Sequence, residues 1–161
     1  MPESTEVAIA KQREAPAELA RLIADVPEPV LRRPPAPGKW SVVAILAHLA
    51  EDELSSSWRY RQMLEKPGDV LGSFDQEEWA RRCEYGAWDP HEAIEMFRLL
   101  REANVRLLAK LTDEELQRWG THTERGRMTV AELACHMPDH DAKHMEQIRR
   151  ILRAATGGEL H

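Results

Sequence analysis

Cysteine is scarce in this chain. Cys83 and Cys135 are the only two in 161 residues, and they stand in no C-x-x-C relation, which excludes a disulfide framework and leaves two buried or idle thiols. No run of about 18 apolar residues offers a membrane span. The opening stretch "MPESTEVAIAKQREAP" carries acidic residues and lacks the apolar core of a signal peptide, so the expected location is cytoplasmic. There is no basic excess either: the formal charge is -6, with both signs interspersed. That argues against a grip on phosphate backbones, which needs clustered Lys and Arg, and so against a nucleic-acid partner. No period-2 alternation lasts long enough to read as a strand, and neither an internal repeat nor a low-complexity tract is visible.

What the sequence does contain is apolar residues at spacings of three and four, the signature of amphipathic helices. A first helix is expected over Ala15 to Val26, with Pro16 tolerated in its first turn and residues 1–12 a shorter helix or frayed tail. "PEPVLRRPPAPGK" cannot continue it, because each proline removes a donor and restricts its predecessor. Ser41 offers an N-cap to a helix that "EKPGD" stops. "SFDQEEWARRCEYG" reads as a short helix within a connection. Asp89, Pro90 and Glu92 then open a helix reaching about Leu111. Thr112 with Glu115 makes a capping box for one or two turns, and "THTERGR" reads as a loop. Thr129 with Glu132 makes a second box that opens the last helix, which ends near Thr156 before Gly157 and Gly158. Four long helices, each with one apolar stripe, predict an all-α four-helix bundle forming a single domain over 1–161, with 157–161 as a C-terminal tail.

The last helix carries His136, His140 and His144 at intervals of four. At 100° per residue, His140 and His144 lie about 40° apart and one turn apart in height, so their imidazoles can converge on one point. Only a bound ion needs that convergence. One helix supplies two such ligands well and three poorly, so a third should come from elsewhere. His48 is the other histidine in the middle of a long helix. It falls about 100° from the stripe of Val42, Ile45, Leu46, Leu49 and Glu53, beside Asp52, Ala44 and Ser55. His48, His140 and His144 would form a three-imidazole site with vacant positions, suited to zinc, nickel or another late first-row divalent ion.

The stretches "PGKWSVVAILAHLAEDE" and "GRMTVAELACHMPDHDAKHMEQI" together resemble the DinB/YfiT-like superfamily. The matching positions are Trp40, Ser41, His48 and Leu49, then His140, His144 and Gln147. The resemblance implies an up-down-down-up bundle holding a divalent metal on the three matching histidines. It also implies thiol chemistry of the kind catalysed by bacillithiol and mycothiol S-transferases and a mycothiol-dependent maleylpyruvate isomerase. Relatives are often dimers, which makes a homodimer the implied assembly.

Pro138 cannot donate to the carbonyl of Ala134, so the helix is expected to kink or restart there, aiming His136 away from the trio. His136 is kept as a contact for substrate or for a ligand, Asp52 as an orienting carboxylate or base, and Gln147 as a hydrogen-bond partner to the site. His91 and His122 read as solvated, His161 is the terminal residue, and Trp58, Trp79, Trp88 and Trp119 read as packing aromatics. Cys135 faces about 140° away from His140 and is a poor ligand or nucleophile. The leading expectation is a metal-dependent thiol S-transferase acting on a small electrophile, with an external low-molecular-weight thiol as cosubstrate. A hydrolase on the same ion, or a bundle that binds a metal or ligand without turnover, are the alternatives.

Overall fold

The structure, a computed structural model, describes residues 1–157. His161 and Gly158, and most of the C-terminal tail, lie outside that range. Four long helices form the frame: α1 (Glu3–Ile23), α3 (Val42–Glu65), α5 (Pro90–Leu108) and α7 (Val130–Ala155). α1 and α3 each pack against both α5 and α7. Three shorter helices, α2 (Glu28–Arg32), α4 (Gln76–Arg82) and α6 (Asp113–Leu116), sit in the connections, with a 3-10 turn at Tyr85–Ala87. The frame is therefore all-α in class but not a strict four-helix bundle. A small sheet joins it, with β1 (Val70–Leu71) parallel to β2 (Trp119–His122) and β2 antiparallel to β3 (Gly126–Thr129).

The start signals act as their chemistry requires. Ser41 accepts from the Ala44 amide at 3.1 Å, and Asp89 accepts from both the His91 and Glu92 amides. Both capping boxes, Thr112/Glu115 and Thr129/Glu132, are formed.

The sheet was not expected. "THTERGR" is a hairpin rather than a loop, turning at Gly126 (φ 75°). Its strands are four residues long, too short for an alternation to register. Gly120 lets β2 lie against Leu71, since a Cβ there would meet the Leu71 side chain at 2.6 Å.

Two prolines were misread for a common physical reason. α1 starts at Glu3, so Pro16 stands in its interior rather than its first turn. Pro138 stands inside an unbroken α7 rather than at a restart. Each proline frees the carbonyl four residues earlier. The Gln12 carbonyl freed by Pro16 accepts from Arg101 Nη1 at 3.1 Å, and the Ala134 carbonyl freed by Pro138 accepts from Gln12 Nε2 at 2.7 Å. Side chains from neighbouring helices replace the missing donors, so both helices run on.

The core has two apolar layers. One gathers Leu19, Ile23, Ile45, Leu46, Leu49, Phe97, Met145 and Ile148, and the other Ile9, Tyr60, Met63, Val105, Leu108, Leu133 and Met137. Between them lies a buried polar layer. Arg101, 1% exposed, makes a two-pronged contact to Asp141 at 2.7 and 3.0 Å and donates to Glu53 at 2.8 Å. Asn104 donates to Glu53 and to Ser57, both at 2.7 Å. Glu53 follows Asp52 and Asp141 follows His140 in sequence. The turns of α3 and α7 that clamp Arg101 therefore also present Asp52 and His140 on their other side.

Candidate metal centre

His48 from α3 and His140 and His144 from α7 meet at the edge of this polar layer. One ring nitrogen from each lies within 4.8 Å of those of the other two. His48 is fully buried, not at the margin of the stripe as the helical projection implied. Nothing in the projection of a single helix reveals that Trp40 closes over it, with ring centroids 5.1 Å apart.

The donor set suits a divalent ion. His48 Nε2 and His140 Nε2 stand 3.4 Å apart, long for a hydrogen bond between them. Two nitrogens at about 2.0–2.1 Å from one tetrahedral ion are separated by about 3.3–3.4 Å. His144 Nδ1–H donates to Gln147 Oε1 at 3.0 Å, which leaves the Nε2 lone pair of that ring free. On the α3 side Asp52 Oδ2 approaches His140 Nδ1 at 3.5 Å, longer than a good hydrogen bond.

Electrostatics keep the imidazoles neutral. Burial, followed by the neighbouring His144, pushes His48 down to about 3. Burial and the other two imidazoles push His140 down to about 2. Burial also lowers His144, against the raising effect of Gln147. Neutral rings with free lone pairs are the form a metal requires. Asp52 moves the other way: burial and the adjacent Glu53 charge raise its carboxyl to about 6. The trio is thus a three-histidine cluster able to coordinate a divalent metal.

His136 stands outside the trio, its ring 6.3 Å from that of His140 and its Nε2 3.4 Å from Arg125 Nη1. It lines a cavity of about 100 Å³ that reaches His140 and Asp52, bounded also by Arg59, His122, Phe74 and Met137. His122 is therefore not a solvated loop residue. It is buried at the end of β2, and its Nδ1 accepts the Glu124 and Arg125 amides at 3.1 and 3.2 Å. A second, wider cleft of about 530 Å³ runs along Trp40, Lys39, Lys143, His144, Gln147 and Arg150, and Gln76 lines both.

Trp79 stacks on Phe74 at 4.1 Å and Trp88 packs against the core, but Trp58 is 70% exposed and packs no core. Cys83 is exposed and Cys135 approaches only the Ser4 carbonyl, so neither thiol enters the site. The sequence reading also missed Arg59, Arg101 and Asp141. Only Arg101 left a trace in the pattern, a charge on the same face as Phe97, Val105 and Leu108.

The sequence profile of the DinB superfamily matches residues 12–148. The chain belongs to the DinB superfamily. Similar members include a protein of Oceanobacillus iheyensis, 27% identical over 74% of this chain and 69% of its own length. Another is YfiT of Bacillus subtilis, 24% identical over 86% of this chain and 80% of its own. Both carry the name "Putative metal-dependent hydrolase". The solved structure of YfiT, described as having "an unusual four-helix bundle topology", superposes with a TM-score of 0.89 at 21% identity, covering 97% of this chain and 90% of that one. At that identity the likeness speaks for the fold. Among the described residues no helix is long and apolar enough to cross a membrane.

Proposed function

We propose that this member of the DinB superfamily is a metal-dependent hydrolase of small molecules, with zinc or nickel held by His48, His140 and His144. One observation carries the reading: three neutral imidazoles converge beside a carboxylate of raised pKa, and that carboxylate lines a cavity together with His140, one of the three. A divalent ion bound there supplies Lewis acidity and makes water nucleophilic near neutral pH. Asp52, held near 6 and lining the cavity, takes the proton of the attacking water and returns it to the leaving group. Gln147 fixes the tautomer of His144, and the Arg101 clamp holds α3 and α7 at the spacing the trio needs. The names of the two relatives support hydrolysis over the transfer reaction.

Thiol transfer is the second reading, and the two clefts, one lined by His140 and the other by His144, favour it, because a transferase must seat two organic substrates. Neither cysteine lies in the site, so the attacking thiol would be external. The same proposal takes the protein as cytoplasmic and homodimeric, with neither nucleic acid nor membrane as partner. It also takes the helices in up-down-down-up order, which the layers support: α1 and α7 pass from the second apolar layer to the first, α3 and α5 the reverse.

The test is metal content of untagged protein, followed by turnover of a panel of esters, amides and electrophiles with and without added thiol. About one divalent ion per chain, and hydrolysis that needs the metal but no thiol and falls at least about 100-fold in Asp52→Asn, is the expected result. Turnover only with added thiol would replace hydrolysis by transfer. Failure to take up zinc or nickel would refute both.

A further inference from the structure

Among the described residues, Arg59 is a buried guanidinium that no carboxylate reaches within 4.0 Å. It sits on α3 two turns beyond Asp52 and is only 9% exposed. Its Nη2 donates to the Gly72 carbonyl at 2.8 Å, while its Nε is buried with no partner. Its nearest attractive charges, Asp52 and Glu124, line the same cavity but stand beyond ion-pair reach, and the Phe74 ring lies 5.8 Å from its guanidinium carbon. A buried cation so loosely compensated is costly, and a fold that needed only packing there would be better served by an apolar side chain. The contrast with Arg101 is direct, since that arginine is deeper yet holds two carboxylates.

Arg59 lines the cavity that also reaches His140. Facing the same space is His122, whose Nδ1 is committed to two backbone amides, so that its neutral ring carries the proton on Nε2 as a donor. Phe74, Met128, Leu133 and Met137 supply the apolar remainder of the lining. We infer that Arg59, assisted by the Nε2–H of His122, binds a carboxylate of the substrate, and that the substrate is an amphipathic monocarboxylate whose apolar body lies on Phe74 and Met137. Arg125, Glu124 and Asp52 also line the cavity, but Arg59 is the buried guanidinium of the two, and its planar donors match one planar carboxylate. That this carboxylate belongs to the molecule being turned over rests on the proposed function; the existence of the anion site does not.

The probes are benzoate, its uncharged isostere benzamide and phenylphosphate, titrated calorimetrically into zinc-loaded wild type, zinc-loaded Arg59→Met and metal-free wild type. Benzoate should bind at least about tenfold tighter than benzamide in both wild-type forms, the scale of a charge-assisted hydrogen bond, and Arg59→Met should erase the difference. Arg59→Met should also leave the melting temperature of the unliganded protein unchanged or raised, which a merely structural arginine would not allow. Equal binding of benzoate and benzamide, a preference that survives Arg59→Met or one seen only with zinc present would overturn the inference. Tighter binding of phenylphosphate than benzoate would overturn the carboxylate assignment. Because the metal-free arm reads anion binding alone, the anion site can fail while the metal site stands, and the reverse.

Discussion

Replacing Arg101 by Met keeps much of the side-chain volume and removes the charge that joins two buried carboxylates. Glu53 is 0% and Asp141 3% exposed, and Arg101 donates to both as well as to the Gln12 carbonyl freed by Pro16. Breaking a buried ion pair from one side costs about 3–5 kcal/mol, because the remaining charge is left without compensation. Here two carboxylates remain, so the penalty belongs at the top of that range. It has a ceiling: each carboxyl can escape by taking up a proton, which at pH 7 costs about 4 kcal/mol for a group that ionises near 4. The sign with pH follows. Burial already raises Asp141, and without Arg101 its folded-state pKa lies further above the unfolded value, so stability is regained as pH falls toward 5. Urea unfolding of metal-free protein, followed by circular dichroism, should show a deficit of about 4 kcal/mol or more at pH 7 that narrows by at least about 1 kcal/mol at pH 5. The same variant should bind zinc more weakly, since Asp52 and His140 sit on the turns that Arg101 clamps. A deficit below about 1 kcal/mol at pH 7, or one that widens on acidification, would refute the account of this layer.

Other consequences can be checked independently. His140→Ala should lose the bound ion, and Gln147→Leu, which frees the His144 ring, should weaken zinc binding about 10–100-fold by competitive chelator titration. Gln12→Leu strands the buried Ala134 carbonyl beside Pro138 and should destabilise by about 1–3 kcal/mol in thermal or urea unfolding. Metal-free wild type should lose stability on acidification below about pH 6.5, because the unfolded chain takes up protons that the buried His48, His140 and His144 refuse. Asp52 and Asp141, both raised by burial, act in the opposite sense at lower pH, so the three histidines leave a net loss. Melting temperatures recorded from pH 7.5 to 5 should fall, and a flat or rising profile would contradict the burial of the trio.

The starts of α3, α5, α6 and α7 were legible in the sequence because caps act over three or four residues, whereas α1, whose N-cap Pro2 makes no side-chain bond, begins twelve residues before its expected start. Ser41, Asp89, Thr112 and Thr129 each satisfy amides in their own first turn, and such local chemistry is the same in any fold. The pairing of His140 with His144 was legible for the same reason, as helical spacing alone sets it. Whatever depends on a second chain segment was not. The interior prolines terminate a helix unless some other element supplies a donor, and only the packed structure brings Gln12 to Ala134 and Arg101 to Gln12. His122 reads as a solvated loop residue until the hairpin folds its ring under two backbone amides. Arg59 looks like any arginine on a helix surface until α3 is packed against the β1–α4 connection and the cavity closes around it. The sequence by itself determined the capped helix starts and two of the candidate ligands, because those follow from short-range periodicity and hydrogen bonding. Only the tertiary structure decided which charges are paired, which are left open and what they face, because burial and counter-charge are properties of several segments at once.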